Sequence, residues 1–256
     1  MSQQPTGPEQ PLISHLLELR DRLLRIVVVV LVLFVGLYIY SDQLYIFISQ
    51  PLQDILAKLP EGSHMIATGV ASPFLVPFKL AMVAAVFLAI PFILHQAWAF
   101  IAPGLYKHEK RFAIPLLTSS VLLFYCGVTF AYFVVLPMVF GFFALAAPAG
   151  VAVMPDITNI LDFILKLFFA FGVAFEIPIA TFLLILTGIT SVASLSEKRP
   201  YIIVGCFVVG MLVTPPDVFS QSILAIPMCL LFELGLLAGR FIKKPETTAE
   251  DAEDQA

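Results

Sequence analysis

Long runs of apolar residues, separated by short polar segments, make up most of this sequence. Most runs approach or exceed the roughly 20 residues that an α-helix needs to cross a bilayer core. The pattern predicts six membrane-spanning helices, at residues 23–40, 74–100, 112–136, 160–186, 201–213 and 218–241. The fifth run is clearly short for a core about 30 Å thick. Together these runs predict a single transmembrane domain over residues 12–241.

Helical periodicity begins before the first span. Apolar side chains recur at helical spacing from residue 12, which predicts an amphipathic helix that lies at the membrane surface and continues into the span. Glu18–Arg22 and Asp21–Arg25 are expected ion pairs along it, because residues four apart face each other on a helix. No cleavage site of small residues follows, so the segment is predicted to be a retained helix rather than a signal peptide.

The two ends of the chain differ in character from this domain. Residues 1–11 are polar and contain three prolines, and residues 242–256 include five acidic side chains. Neither segment has enough apolar residues to form a packed core. We therefore expect a disordered N-terminus and a disordered, acidic C-terminal tail.

Prolines indicate where the helices should bend or end. Pro77 and Pro91 are expected to bend the second span, because proline removes a helical hydrogen bond and its ring clashes with the preceding turn. Residues Pro137–Pro155 are predicted to form an apolar loop after the third span. The long loop between the first two spans contains an amphipathic piece, Leu44–Leu59, with Pro51 inside it.

Composition agrees with a membrane protein of the all-α, polytopic class. The chain is 60% hydrophobic and only 12% charged, whereas soluble chains carry roughly 25% charged residues. Its mean hydropathy is +0.98. The three cysteines all lie in apolar runs, so they are expected to be packing residues rather than a disulfide framework.

Lysines and arginines are distributed unequally between the two sides that six spans would define. One side carries Arg20, Arg22, Arg25, Lys107, Lys110, Arg111, Lys198, Arg199, Arg240, Lys243 and Lys244. The other side carries Lys58, Lys79 and Lys166. Because cytoplasmic loops are enriched in these residues, eleven against three predicts that both termini are cytoplasmic.

The sequence contains none of the short motifs that mark common catalytic sites. There is no Walker phosphate loop, no His-Glu-x-x-His zinc pattern and no Gly-x-Ser-x-Gly nucleophile elbow. The four histidines are scattered, and the acids within the spans do not form the pair that an intramembrane aspartyl protease needs. A receptor, channel component or carrier is therefore favoured over an enzyme, with no metal, cofactor or nucleic acid expected.

One carboxylate, Glu176, lies near the middle of the fourth span. An ionised carboxylate there costs roughly 2.5–3.5 kcal/mol on insertion scales, and such residues usually face the protein interior or a water-filled cavity. Glu176 is either a polar point used in transport or a protonated acid that hydrogen-bonds to a neighbouring helix. Glu233, nearer the end of the last span, is expected to pair with Arg240 or to extend towards the interface.

Mildly polar side chains surround the turn between the last two spans. They are Met211, Thr214 and Gln221. Such groups either satisfy the ends of helices or form an edge on which another transmembrane helix docks. The sequence alone leaves both interpretations open.

The loop at residues 98–111 holds one carboxylate, Glu109, among the cations Lys107, Lys110 and Arg111. Taken alone, Glu109 would be a solvated loop charge beside lysines. At a membrane surface it can also hold a guanidinium, because a carboxylate accepts two N–H groups at once. The N-terminal amphipathic helix offers a second carboxylate for such a site.

Seven blocks of sequence point to a known family. They read HLLELRDRLL, MIATGVASPF, WAFIAPGLYKHEKR, FAYFVVLP, FGVAFEIPIA, KRPYIIVG and GMLVTPPDVFSQ. In this order they resemble the TatC family, the multi-spanning receptor component of the twin-arginine protein translocase. The resemblance covers about Pro11–Phe241, and its blocks are long enough to be highly specific.

The resemblance implies six helices in a curved, concave arrangement in a bacterial inner membrane, with both termini cytoplasmic and with short fifth and sixth helices. It implies a receptor that binds the twin-arginine signal peptides of folded cargo proteins. It also implies that the single-span proteins TatB and TatA are recruited, that the proton-motive force drives transport, and that the protein self-associates within a larger complex.

Motif positions carry the family's functional residues onto this chain. The resemblance implies signal-peptide recognition by Glu18, Arg20, Phe100 and Glu109, partner-helix docking at Met211, Thr214 and Gln221, a membrane-buried acid at Glu176, and an outer-side cap that includes Pro51.

A proton-coupled carrier of small solutes, with Glu176 as its ion site, is the second hypothesis. Carriers of this kind are commonly built from internal repeats with broken helices in both halves. We find no convincing repeat in the sequence, and the short helices lie near the C-terminal end only.

Overall fold

The computed structural model describes residues 9–58, 63–101, 113–146, 151–214 and 217–241. This part of the chain is mostly helical and has one isolated β-bridge but no strand, which confirms the all-α class. The helices are α1 (Glu9–Tyr38), α2 (Ser41–Leu56), α3 (Ser72–Leu88), α4 (Ile90–Ile101), α5 (Ala113–Phe130), α6 (Leu136–Ala146), α7 (Ile157–Ala174), α8 (Ile177–Leu186), α9 (Val192–Glu197), α10 (Arg199–Val213) and α11 (Val218–Arg240).

The described helices include several candidates for membrane spans. Three continuous stretches are long and apolar enough to cross: Ile114–Ala146, Ile157–Leu186 and Val218–Arg240. The pairs α1–α2 and α3–α4 also pass this test, but they bend by 84° and 48°, so the total is up to five. Helix α10 is apolar and has 15 residues. The count of six spans therefore remains a prediction.

The bends have local causes. Helices α3 and α4 meet at Ala89, just before Pro91, whose ring excludes a normal helical turn, so the bend expected at Pro91 is confirmed. Pro77 lies inside α3 without breaking it. Helix α1 includes residues 9–11, which composition predicted to be disordered. The rest of the two predicted disordered ends lies outside the described residues.

The third helix is longer than the sequence predicted. A π-helical turn at Ala131–Val135 follows α5 and leads directly into α6, so residues 137–146 are helical and not a loop. The Leu136 N–H donates to the carbonyl of Ala131, five residues earlier. This wider turn comes immediately before Pro137 and accommodates a residue that cannot donate a backbone hydrogen bond itself.

The last two spans differ in length. Helix α10 covers about 22 Å at 1.5 Å per residue, which confirms that the fifth span is short. Helix α11 has 23 residues, so the expectation of a short sixth helix is wrong. Asp217 caps its first turn by accepting a 2.7 Å hydrogen bond from the Ser220 N–H, and Pro227 lies within the helix without ending it.

The helices pack mainly on their neighbours. Helix α1 contacts α3 and α4, α4 contacts α5, α5 contacts α7, and α11 packs between α8 and α10. Glycines permit the tight contact of α5 with α7: a Cβ on Gly127 would lie 2.5 Å from the Phe171 carbonyl oxygen, and one on Gly172 would lie 2.5 Å from the Phe124 ring. Helix α2, with the half-buried Pro51 inside it, packs on α3 and α6.

A polar contact joins the loop before α3 to the start of α7. Ile66 and Asp156 form the isolated bridge, in which the Ile157 N–H donates to the Ile66 carbonyl. The Asp156 carboxylate accepts from the backbone N–H and the hydroxyl of Thr68, and it also caps α7 by accepting from Thr158 N–H. These hydrogen bonds, first of all that from the Thr68 hydroxyl, hold the pKa of Asp156 well below its usual range.

Candidate functional site

The guanidinium of Arg22 joins the N-terminal helix to α4. It donates two hydrogen bonds to Glu18 Oε1, at 2.6 and 3.0 Å, which confirms the ion pair predicted from spacing. From its other side it donates to the side-chain oxygen of Gln96 at 3.1 Å and to the carbonyl of Ala99 at 3.2 Å. Both bonds to the carboxylate use Oε1, and no other described group bonds to Glu18. The Glu18 side chain is 40% exposed, so Oε2 can accept from a ligand.

Phe100 lies beside the same face of α1. Its ring stacks on His15 with centroids 4.1 Å apart, and His15 is three residues before Glu18, so both project from one side of the helix. Arg20 is not part of this cluster. Its exposed guanidinium pairs with Asp21 at 2.8 Å, and a residue two positions from Glu18 points to the opposite side of a helix. The predicted Asp21–Arg25 pair is therefore wrong, because Asp21 pairs with its neighbour instead.

The second expected carboxylate, Glu109, lies outside the described residues, as do Lys107, Lys110 and Arg111. Helix α4 ends at Ile101, directly before this segment. The described end of the loop is anchored by Trp98, which is buried, and by the contacts of Ala99 and Phe100 with α1. The last residues of α4 are therefore held against the face of α1 that carries Glu18.

The three residues of the candidate docking cluster have different environments. Met211 is 50% exposed. Thr214 is buried, and its hydroxyl donates to the Gly210 carbonyl at 3.0 Å. The Gln221 amide donates to the Phe207 carbonyl at 2.8 Å and so ties α11 to α10. Met211 presents the accessible surface, while the other two side chains shape the junction of the two helices.

Glu176 lies at the break between α7 and α8. Pro178 prevents regular helix continuation there, and the Glu176 N–H bonds to Val173 in a tighter turn. Its Oε1 is buried without a partner among the described residues. The described residues contain no group of three or more His, Cys, Asp or Glu side chains that could hold a metal ion.

Sequence reasoning missed several polar contacts. Gln96 was not singled out, although a buried amide inside an apolar run is a recognisable signal. Glu233 pairs with Arg199 at 2.7 Å and not with Arg240. Lys79 forms an ion pair with Asp162 on α7. The partners in these pairs are separated by 34 to 83 residues, so no local spacing reveals them.

Comparisons with known proteins agree with one another. The family model "Sec-independent protein translocase protein (TatC)" matches residues 14–227. The chain is similar to TatC of Azotobacter chroococcum mcd 1, with 61% identity over 96% of each chain, and to TatC of Escherichia coli K12, with 56% identity over 91% of this chain and 89% of the relative. A crystal structure described as the twin-arginine translocase receptor TatC matches with a TM-score of 0.78 and 34% identity, over 88% of this chain and 98% of the other.

These matches favour a component of a protein translocase, with a transport role, in a bacterial inner membrane that its apolar helices cross several times. They do not favour the small-solute carrier. The match extends over most of the chain and includes α1, α4 and α10, which carry the candidate residues. The chain belongs to the TatC family of Sec-independent protein translocase proteins.

Proposed function

We propose that this protein binds the twin-arginine signal peptides of folded cargo at its cytoplasmic face, with both of its termini on that side. The observation that carries the proposal is the fixed position of Glu18. Arg22 holds the carboxylate through Oε1 and is itself held by Gln96 and Ala99 on α4. The carboxylate is thus oriented before a ligand arrives, and its second oxygen is open.

The chemistry of this site suits an arginine ligand. A guanidinium can donate two N–H groups to the one open oxygen of Glu18, as Arg22 does to the other, whereas a lysine ammonium is a point charge, so a site of this kind discriminates arginine from lysine. Hydrogen bonds to charged groups contribute roughly 1.5–3 kcal/mol each. Two adjacent arginines need two carboxylates, and we assign the second role to Glu109, in the segment that begins beside Phe100.

Phe100 and Arg20 have supporting roles in this proposal. The Phe100 ring, stacked on His15, offers an apolar and aromatic surface beside Glu18 for the residues around the arginine pair. Arg20 is 62% exposed on the other side of α1, where its charge suits contact with anionic lipid headgroups.

Recruitment of single-span TatB and TatA helices is assigned to the junction of α10 and α11. Met211 is the exposed contact, supported by Thr214 and Gln221. We assign Glu176 the role of an intramembrane polar point during transport driven by the proton-motive force. Pro51 and α2 form part of the cap on the opposite side of the membrane. The protein carries out transport within a self-associated complex and not catalysis.

Site-specific photo-crosslinking tests the central assignment. A photoreactive residue at Phe100 should crosslink to a twin-arginine signal peptide and much less to its twin-lysine counterpart. Replacing both Glu18 and Glu109 by Ala should abolish the crosslink while the protein still inserts. Asp21→Ala is the matched control, since it removes a neighbouring exposed carboxylate of the same helix that pairs with Arg20 and not with Arg22. An undiminished crosslink in the double variant would rule out the two-carboxylate site.

A further inference from the structure

An open cavity of about 630 Å³ lies between α7 and α10. Small residues line part of its length, including Ala170 and Ala174 on α7 and Gly205 on α10. A Cβ added to Gly205 would meet nothing within 4 Å, so this side of α10 faces open space. Exposed apolar side chains such as Phe169 and Leu212 complete the lining. The groove therefore has the volume and the apolar surface to take an acyl chain.

A single cation, Lys166, contributes to this apolar lining. It lies nine residues after the first residue of α7, about 13 Å along the helix. Its favourable partner by spacing, Asp162 four residues earlier, is already paired with Lys79 of α3. Among the described residues no carboxylate pairs with Lys166. Two cations and one carboxylate leave a local charge of +1 at this end of the groove.

Helix α10 forms the wall of the groove opposite Lys166. Its length indicates how a lipid headgroup can reach the depth of Lys166 in the membrane. Consecutive spans run in opposite directions, so the C-terminal end of α10, at Leu212 and Val213, lies at the same end as Lys166. Helix α10 has 15 residues and covers about 22 Å, against a core about 30 Å thick. A short helix is accommodated by local thinning of the bilayer. The lysine side chain also leans back towards the start of α7, as helical side chains do, and extends to meet the lowered surface.

We propose that the groove between α7 and α10 binds an anionic phospholipid, with its phosphate on the Lys166 ammonium and an acyl chain along the small-residue lining. The uncompensated positive charge selects an anionic headgroup over a zwitterionic one. The apolar walls hold the acyl chain by van der Waals packing. This lipid site is independent of signal-peptide binding and goes beyond the function proposed above.

Native mass spectrometry of the purified full-length protein tests the site. The protein is reconstituted with phosphatidylglycerol or with phosphatidylcholine, and the lipid retained per chain is measured. Lys166→Gln should reduce retention of phosphatidylglycerol about tenfold, because it removes a charge-assisted hydrogen bond, while phosphatidylcholine changes little. Lys166→Arg should retain the anionic lipid. Lys58→Gln is the matched control, since it removes one exposed lysine away from the groove.

A second variant tests the apolar half of the site from the other wall. Gly205→Leu places a side chain in the open space and should displace the lipid while Lys166 is intact. A photoreactive residue at Phe169 should give a lipid adduct in the wild-type protein. Equal retention of phosphatidylglycerol in Lys166→Gln and wild type would overturn the proposal. So would an adduct with a partner helix at Phe169 in place of lipid.

Discussion

The Arg22 guanidinium donates a 3.1 Å hydrogen bond to the side-chain oxygen of Gln96, 74 residues later in the chain. The same guanidinium holds Glu18, so the amide on α4 positions a carboxylate that it does not touch. Gln96 is buried, which makes the linkage hard to replace with water. The α1–α4 junction is therefore a unit of three side chains, Gln96, Arg22 and Glu18. Of these, only Glu18 is open to a ligand.

Gln96→Leu should weaken binding of a twin-arginine signal peptide by about two- to tenfold, since one hydrogen bond contributes about 0.5–1.5 kcal/mol. Arg22 would keep its bonds to Glu18 but lose its anchor on α4. Binding is measured by titration of labelled peptide against protein in nanodiscs. The control is Gln43→Leu, which changes an exposed amide on α2. Unchanged affinity in Gln96→Leu would show that α4 does not position Glu18.

Substitutions at Met211 and at Thr214 should have different effects, the first on docking of a partner helix and the second on thermal stability. Met211→Ala removes an exposed contact and should reduce crosslinking to a single-span partner helix several-fold with an unchanged melting temperature. Thr214→Val should lower the melting temperature, because the buried hydroxyl bonds to the Gly210 carbonyl. Both variants are assayed for partner crosslinking and thermal unfolding. The opposite pattern would assign docking to the buried residue and contradict the division made here.

Replacement of Glu176 by Leu should raise stability and lower export. The variant removes a buried oxygen that has no partner among the described residues, and such a group costs about 1–3 kcal/mol. It also removes the only charged side chain at the α7–α8 break, which we assign to transport. Thermal unfolding and export of a folded cargo are measured together, with Glu176→Gln as the polar control. A less stable but fully active Glu176→Leu would contradict both parts.

Gly127→Ala should destabilise the protein by about 1–3 kcal/mol, because over-packing a tight helix contact forces the backbones apart. The added Cβ would lie 2.5 Å from a carbonyl oxygen, which cannot move as a flexible side chain can. Gly141→Ala is the matched control: its Cβ meets nothing within 4 Å, so it should stabilise α6 by roughly 0.5–1 kcal/mol. Similar melting temperatures for the two variants would argue against close packing of α5 on α7.

Asp156 should make stability depend on acid pH. Its folded pKa lies below the value of an unfolded aspartate, about 3.9, so the stabilisation is present above that pH and is lost as the pH falls through the folded pKa. Between about pH 5 and about pH 3, the melting temperature of the wild type should fall more than that of Asp156→Asn, which can still cap α7. Thr68→Val should also make the fall of the melting temperature with pH smaller than in the wild type. Parallel pH profiles for wild type and Asp156→Asn would contradict the assignment.

The local sequence pattern was sufficient to predict where most helices lie, but not how each helix continues into the next. Apolar run lengths located the stretch of α7 and α8 together, α10 and α11 closely, and Pro91 marked the bend between α3 and α4. Pro137 was misleading, because its effect depends on the π-helical turn before it, for which the sequence offers no simple signal. The length of α11 was mistaken because the short-helix expectation came from the resemblance and not from its own 23 residues.

In the candidate site, contacts within one helix could be predicted from the sequence, whereas contacts between helices could not. The Glu18–Arg22 pair follows from helical spacing, which is a property of one element. The contacts of Arg22 with Gln96 and of Asp156 with Thr68 join residues 74 and 88 positions apart, and they depend on how the helices pack. The sequence analysis counted Lys166 only as one of three lysines on one side, and its uncompensated charge follows from the pairing of Asp162 with Lys79.

The π-helical turn at Ala131–Val135 gives the third helix an unusual tolerance to changes in length. A wide turn contains about one residue more than an α-helical turn, so loss of one residue there would restore ordinary geometry. Ala131 and Val135, at the two ends of the turn, and Val139 after it are all buried. Elsewhere in the helix, a one-residue deletion would rotate every following side chain by about 100° and expose Val139 and Phe140. In evolution, this turn is where the third helix could gain or lose a residue while preserving its packing on the rest of the protein.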